Sequence, residues 1–203
     1  MQELSADLLL NAYLNGFFPM ADPDSGELEW YCPDTRAIID LTDIHISKNL
    51  LRTVRSARFE IRTNTCFDTV LLECAKPAAG RESTWIDQRI TEAYGALHRS
   101  GFAHSVEAWK DDNLVGGLYG VQIGGAFFGE SMFSRPGQGG RDASKVCLAW
   151  LIEHLRAIGA SLLDIQFTTP HLERLGATEI ADNQYMDRLE SAIDQPIQWQ
   201  RTP

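Results

Sequence analysis

HSVEAWKDDNLVGGLYGVQIGGAFFGESMFS, residues 104–134, sets the architecture. Two turn signals divide it. Lys110-Asp-Asp-Asn113 separates SVEAW from LVGGLYGVQI, and Gly124-Gly125 separates that run from AFFGESMF. The stretch therefore reads as an antiparallel meander of three strands. Downstream, the loop Arg135–Arg141 is rich in glycine, and Asp142 stands where it would cap a helix. That helix carries an apolar stripe of Cys147, Leu148, Leu151, Ile152, Leu155 and Ile158, and Gly159 ends it. Ser161–Phe167 shows no apolar–polar alternation, as expected of a central strand. Thr169-Pro170 opens a one-turn helix closed by Gly176.

Upstream, Ile86, Ile90, Ala93, Tyr94 and Leu97 lie on one side of a helix that stops at Gly101. Phe67, Val70, Leu71 and Cys74 mark another. Ser5 caps a first helix through Leu9, Ala12 and Tyr13, ended by Gly16, and a loop from Pro19 to Pro33 follows. Residues 1–35 are expected to form a small, reduced N-terminal unit unable to bury a core alone, and residues 36–203 the main domain. The class is α+β, a mixed β-sheet flanked by helices, in the element order of GNAT-like folds.

The chain has 203 residues, enough for one well-buried domain, and a formal charge of −10, which argues against a protein that coats nucleic acid non-specifically. The basic residues do gather locally. Lys48, Arg52 and Arg55 share a helix face, with Arg58 and Arg62 close behind. The alternative is a solvated helix face. Cys32, Cys66, Cys74 and Cys147 form no paired-ligand spacing, so no metal or disulfide is expected. No run reaches bilayer-spanning length and the start lacks the order of a secretory signal, so a cytoplasmic protein is expected.

Three segments exceed what folding requires. Glu130 is a carboxylate closing an aromatic strand. Asp164 and Gln166 put an acid and an amide on one face of a buried strand. Gly116-Gly117-Leu118-Tyr119-Gly120 leaves room for something to approach the backbone. Each has a plainer alternative: a strand-end charge, a satisfied core pair, a sheet bend.

AYLNGFFPM (12–20), HISK (45–48), TWI (84–86), AHSVEAW (103–109), LVGGLYGV (114–121), FFGESMFS (127–134), ASK (143–145), LLDIQ (162–166) and HLERLGATEI (171–180) follow one another along the chain. In these, from about Leu4 to Ile180, it resembles the leucyl/phenylalanyl-tRNA–protein transferases. The resemblance implies transfer of Leu or Phe, and Met less well, from aminoacyl-tRNA to proteins beginning with Arg or Lys, marking them for N-end-rule degradation. It implies no metal, nucleotide or coenzyme A. By the same resemblance Asp164, Gln166 and Glu130 are catalytic. Leu118, Phe127 and Leu151 line the donor side-chain pocket, Trp85 and Met20 lie near the terminal adenosine, and Lys48, Arg52 and Arg55 meet the tRNA. Met20 departs from the tryptophan common at that position. Alignment alone supplies about 7–11 kcal/mol of such a barrier, so Gln166 needs only to orient the attacking amine.

Two other readings compete. A coenzyme A-dependent N-acetyltransferase would carry Q/R-x-x-G-x-G/A before the long helix, and Gln138 stands where its first glycine belongs. A non-catalytic module binding tRNA ends or protein N-termini would not need Glu130, Asp164 and Gln166 together.

Overall fold

The computed structural model describes residues 4–41, 58–77, 82–173 and 175–200. Helix α1 (Ala6–Leu14) starts where Ser5 Oγ accepts the Leu8 N–H at 3.2 Å, and Gly16, at φ +79°, turns the chain out of it. The hairpin of β1 (Phe18–Ala21) and β2 (Leu28–Tyr31) follows, its loop held by the Asp22 carboxylate, which accepts the Asp24 and Ser25 N–H groups. Next come β3 (Thr35–Ile39), β4 (Glu60–Thr63), α2 (Phe67–Cys74) and α3 (Gln88–Arg99), the last capped by Asp87. The expected meander is present as β5 (Ala103–Lys110), β6 (Asn113–Ile123) and β7 (Ala126–Ser134). Asp111 and Asp112 take φ of 48° and 57° at its first turn, a conformation that Asp tolerates better than most residues. Then follow α4 (Ala143–Ala157), β8 (Leu162–Gln166), the short α5 (Pro170–Glu173), β9 (Ala177–Ala181) and α6 (Asp182–Ile193).

Among the described residues, seven strands form one sheet in the order β4-β5-β6-β7-β8-β3-β9. Of these strands only β7 and β8 run parallel, and α4 is the crossover that a parallel pair requires. β8 is interior, as its lack of alternation implied. Alternating residues of β6 and β7 feed two cores. Tyr119, Val121 and Phe128 pack with α1, α2, α3 and α6 on one face, and Leu118 and Phe127 with α4 on the other. The mixed sheet flanked by helices is therefore as expected.

Three local expectations fail for identifiable reasons. Asp142 adopts φ 65° and its carboxylate pairs with Lys145 at 2.7 Å; Ser134 Oγ caps α4 instead, accepting the Ser144 N–H at 2.9 Å. The glycines of β6 do admit a close neighbour, but it belongs to the protein. A Cβ at Gly116 would lie 2.4 Å from the Ala143 Cβ, and one at Gly120 would lie 2.4 Å from the Phe127 ring. Glu130 does not close its strand: it lies inside β7.

Candidate active site

The parallel strands β7 and β8 are partnered only from Ala126↔Leu162 to Phe128↔Asp164. Past that point both strands carry a bulge. Tyr119 faces Ser131 while Gly120 faces Gly129, leaving Glu130 as the extra residue of β7. Ala37 faces Gln166 while Ile38 faces Asp164, leaving Ile165 as the extra residue of β8. Bulges bend strands and re-aim side chains. The separated ends enclose a cleft of about 240 Å³. Leu118, Met132, Leu148, Leu151, Leu163 and Leu172 form its apolar wall, and Glu130 and Gln166 its polar end. Gln166 has φ +58°, a conformation uncommon outside Gly, Asn and Asp, and strained backbone of this kind gathers at functional sites.

Glu130 receives hydrogen bonds from neutral groups. Tyr13 Oη donates to Oε1 at 2.6 Å, Tyr94 Oη to Oε2 at 3.0 Å, and Gln166 Nε2 to Oε1 at 3.3 Å. The two tyrosine hydroxyls also touch each other. Burial pushes the Glu130 carboxyl up to about 7; the tyrosine hydrogen bonds and the Arg36 charge oppose the rise, and Asp164 adds to it. Both tyrosine hydroxyls are raised well above their ordinary value, burial first and the neighbouring Glu130 second.

Asp164 is fully buried, and its company is different. Arg36 of β3 donates Nε to both carboxylate oxygens, at 3.1 and 3.0 Å, and Nη2 to Oδ2 at 2.8 Å. Tyr185 Oη donates to Oδ2 at 2.8 Å, and the Gln166 main-chain N–H to Oδ1 at 2.8 Å. Arg36 is 1% exposed, lies 4.6 Å from the ring centroids of both Phe18 and Tyr185, and gives Nη1 to the Gly16 carbonyl. One buried cation thus ties α1, β1, β3, β8 and α6 together behind the cleft. Asp164 fixes the backbone of Gln166, and the Gln166 side chain then reaches Glu130.

Of the residues singled out from the sequence, Glu130, Gln166, Leu118 and Leu151 line the cleft. Asp164 stands behind it, hydrogen-bonded to its rim. Phe127 is not part of the wall; it is fully buried on the α4 face, its ring filling the space over Gly120. Met20 and Trp85 pack against the other core, their segments joined by a hydrogen bond from Ala21 N–H to the Trp85 carbonyl at 3.2 Å. Lys48, Arg52 and Arg55 lie outside the described residues. Of the basic residues behind them, Arg62 pairs with Glu60 and Asp112. Sequence reasoning missed Arg36, Tyr185, Tyr13 and Tyr94 as parts of the site. The tyrosines sit at ordinary core spacing, and Arg36 differs from a surface arginine only in preceding the apolar run Ala37–Ile39. Among the described residues, no group of three or more His, Cys, Asp or Glu could hold a metal, and no helix is long and apolar enough to cross a membrane.

Residues 38–190 match the family described as leucyl/phenylalanyl-tRNA protein transferase, and residues 2–34 match the N-terminal domain of that family. A leucyl/phenylalanyl-tRNA–protein transferase of Gluconobacter oxydans is 51% identical over 201 residues, covering 98% of this chain and 87% of the relative. One of Chlorobaculum parvum is 50% identical over 189 residues, covering 93% and 95%. Solved structures are more distant. L-PGS from Bacillus licheniformis superposes with a TM-score of 0.46 at 11% identity, over 88% of this chain and 67% of its own. A ribosomal-protein-alanine N-acetyltransferase from Brucella melitensis biovar Abortus 2308 gives 0.39 at 16%, over 57% and 84%.

Proposed function

We propose that this chain, which belongs to the leucyl/phenylalanyl-tRNA protein transferase family, moves a leucyl or phenylalanyl group from the 3′ end of a charged tRNA onto the N-terminal Arg or Lys of an acceptor protein. Methionyl is the poorer donor, and the new N-terminus marks the acceptor for degradation. The supporting observation is the cleft between β7 and β8, apolar along its wall and polar at one end. Such a shape takes a large apolar side chain and leaves its esterified carboxyl beside Gln166 and Glu130. An apolar wall separates side chains differing by a methylene by only about 1–3 kcal/mol, which fits tolerance among Leu, Phe and Met.

The tasks are then divided among the residues. Leu118 and Leu151 seat the donor side chain. Gln166, fixed through its backbone by Asp164, orients the attacking amine. Phe127, in the same core cluster as Leu118, backs the donor pocket. Met20 and Trp85 lie along the route of the terminal adenosine, where an aromatic stack is worth about 1–3 kcal/mol. Lys48, Arg52 and Arg55 neutralise acceptor-stem phosphates, which adds affinity without sequence readout. Residues 1–35 act as a small N-terminal unit docked on a catalytic domain of residues 36–203, and the setting is the cytoplasm, where charged tRNAs are made.

Labelled Leu-tRNA, Phe-tRNA and Val-tRNA incubated with peptides beginning in Arg, Lys or Ala test the reading. Leu and Phe transfer to the Arg and Lys peptides is expected. Saturable thermal stabilisation by acetyl-coenzyme A without any aminoacyl transfer would instead support an acetyltransferase.

A further inference from the structure

Among the described residues, Glu130 is the carboxyl that lines the cleft and Asp164 is bonded to the backbone of its neighbour Gln166, and only Glu130 has room for a proton. Both oxygens of Asp164 are filled by donors from Arg36, Tyr185 and the Gln166 backbone. Glu130 faces the cleft, keeps part of its surface accessible, and among the described residues accepts only from neutral groups. Among the described residues no Lys or Arg nitrogen comes within ion-pair distance of it, and the nearby Arg36 is committed to Asp164 and the Gly16 carbonyl. A carboxylate partnered by neutral donors has no fixed cation to hold its charge, so it exchanges a proton readily near neutrality. Gln166, a neutral amide, is a poor proton acceptor. It donates to Glu130 and links the orienting amide to the carboxyl.

We propose that Glu130 takes the proton lost by the attacking amine and returns it to the departing ribose oxygen, with Tyr13 and Tyr94 as the residues that position it. The proposal rests on the transfer reading above and adds to it the group that carries the proton. The acceptor arrives as a free amine. Its nitrogen attacks the ester carbonyl carbon, the C–N bond forms, and one N–H proton passes to the Glu130 carboxylate. The ester C–O bond then breaks, and the same proton goes to the ribose oxygen. The products are an amide and a free hydroxyl, the carboxylate is regenerated, and no other reactant is needed. Tyr13 and Tyr94 are fully buried and do not meet the substrate. Their hydroxyls aim the carboxyl from behind and favour its charged form. The ionisable or charged groups around Glu130 are Tyr13 on α1, Tyr94 on α3, Tyr119 on β6, Asp164 on β8 and Arg36 on β3.

The test is the pH profile of kcat, and of KM for Leu-tRNA, with an Arg-beginning peptide at saturation. Wild type, Glu130→Gln and Tyr94→Phe are compared. Wild type should lose rate as the pH falls through about 7. Glu130→Gln should lower kcat by about 10²-fold or more and remove the carboxyl's share of that limb, leaving only the fall set by the peptide amine. Tyr94→Phe removes a donor to the carboxylate without emptying space, so its limb should move to higher pH; the ionisation of the peptide amine itself is blind to that substitution. An unmoved limb in Tyr94→Phe, or a Glu130→Gln variant that raises only KM for Leu-tRNA, overturns the proposal and leaves the transfer reading intact. A wild-type chain that transfers nothing overturns both. If Glu130→Gln does not fold, carboxyl ¹³C titration of Glu130 in wild type and Tyr94→Phe decides the same question: a midpoint near 7 that rises in Tyr94→Phe supports the proposal, and an unmoved midpoint refutes it.

Discussion

Asp164 and Glu130 stand on neighbouring strands, one behind the cleft and one lining it, and their partners differ in kind. Asp164 is enclosed by a buried guanidinium, a tyrosine hydroxyl and a main-chain N–H. Glu130 is reached by two tyrosine hydroxyls and a side-chain amide. A cation inside the protein makes a carboxylate part of the frame, because both charges lose their compensation if either is removed. Neutral donors satisfy the oxygens but leave the charge uncompensated, and burial then pushes the carboxyl up to about 7. Two acids of the same chemistry therefore divide the labour: one holds geometry, the other is free to exchange protons.

The largest effect expected from breaking this contrast falls on Asp164. Asp164→Ala leaves Arg36 buried without its counter-ion, and should cost about 3–5 kcal/mol of stability in a urea titration, together with at least about 10²-fold in turnover. Equal stability of variant and wild type would mean that the pair is not structural.

Glu130→Gln should act on pH dependence instead. The folded-state value of about 7 lies above the ordinary 4.5, so the folded chain binds more protons than the unfolded chain between those values. Stability from this group is complete below 4.5 and is lost as the pH rises through 7. Urea midpoints at about pH 5 and about pH 8 should show that loss in wild type and a smaller one in Glu130→Gln, which has nothing to ionise at that position.

Leu151→Ala probes the apolar wall alone. It should lower kcat/KM for Leu-tRNA by the equivalent of about 1–3 kcal/mol while the pH profile keeps its shape. A changed profile would show that wall and carboxyl are not separable. The smallest effect belongs to Tyr185→Phe, which removes one of several donors to Asp164 and should cost about 1 kcal/mol of stability with near-normal turnover. A loss as large as that of Asp164→Ala would mean that Tyr185, rather than Arg36, holds the carboxylate.

How much of this was legible in the sequence depended on whether a signal was local. The meander, the stripe of α4 and the caps at Ser5 and Thr169 rest on neighbouring residues, and they stand where the sequence put them. Asp142 did not cap α4 because Ser134, ten residues before Ser144, holds the N–H at that helix start. Alternation placed Asp164 and Gln166 on one face but gave no hint of two bulges opening the strands, since a bulge depends on the partner strand. Arg36 was invisible for a related reason. It precedes Asp164 by 128 positions, and nothing next to it marks it as buried. Glu130 and Gln166 stood out from the residues and took their roles from resemblance, whereas the tyrosines that tune Glu130 read as core.

The most direct test of the account is a crystal structure of the chain with 3′-leucylamido-3′-deoxyadenosine, an amide mimic of the donor end. The leucyl side chain is predicted to lie against Leu118, Leu151 and Leu163, with its carbonyl group beside Gln166 and Glu130. Density for the leucyl group in a second cavity, lined by His98, His104 and Trp199, with the β7–β8 cleft unfilled, would contradict it.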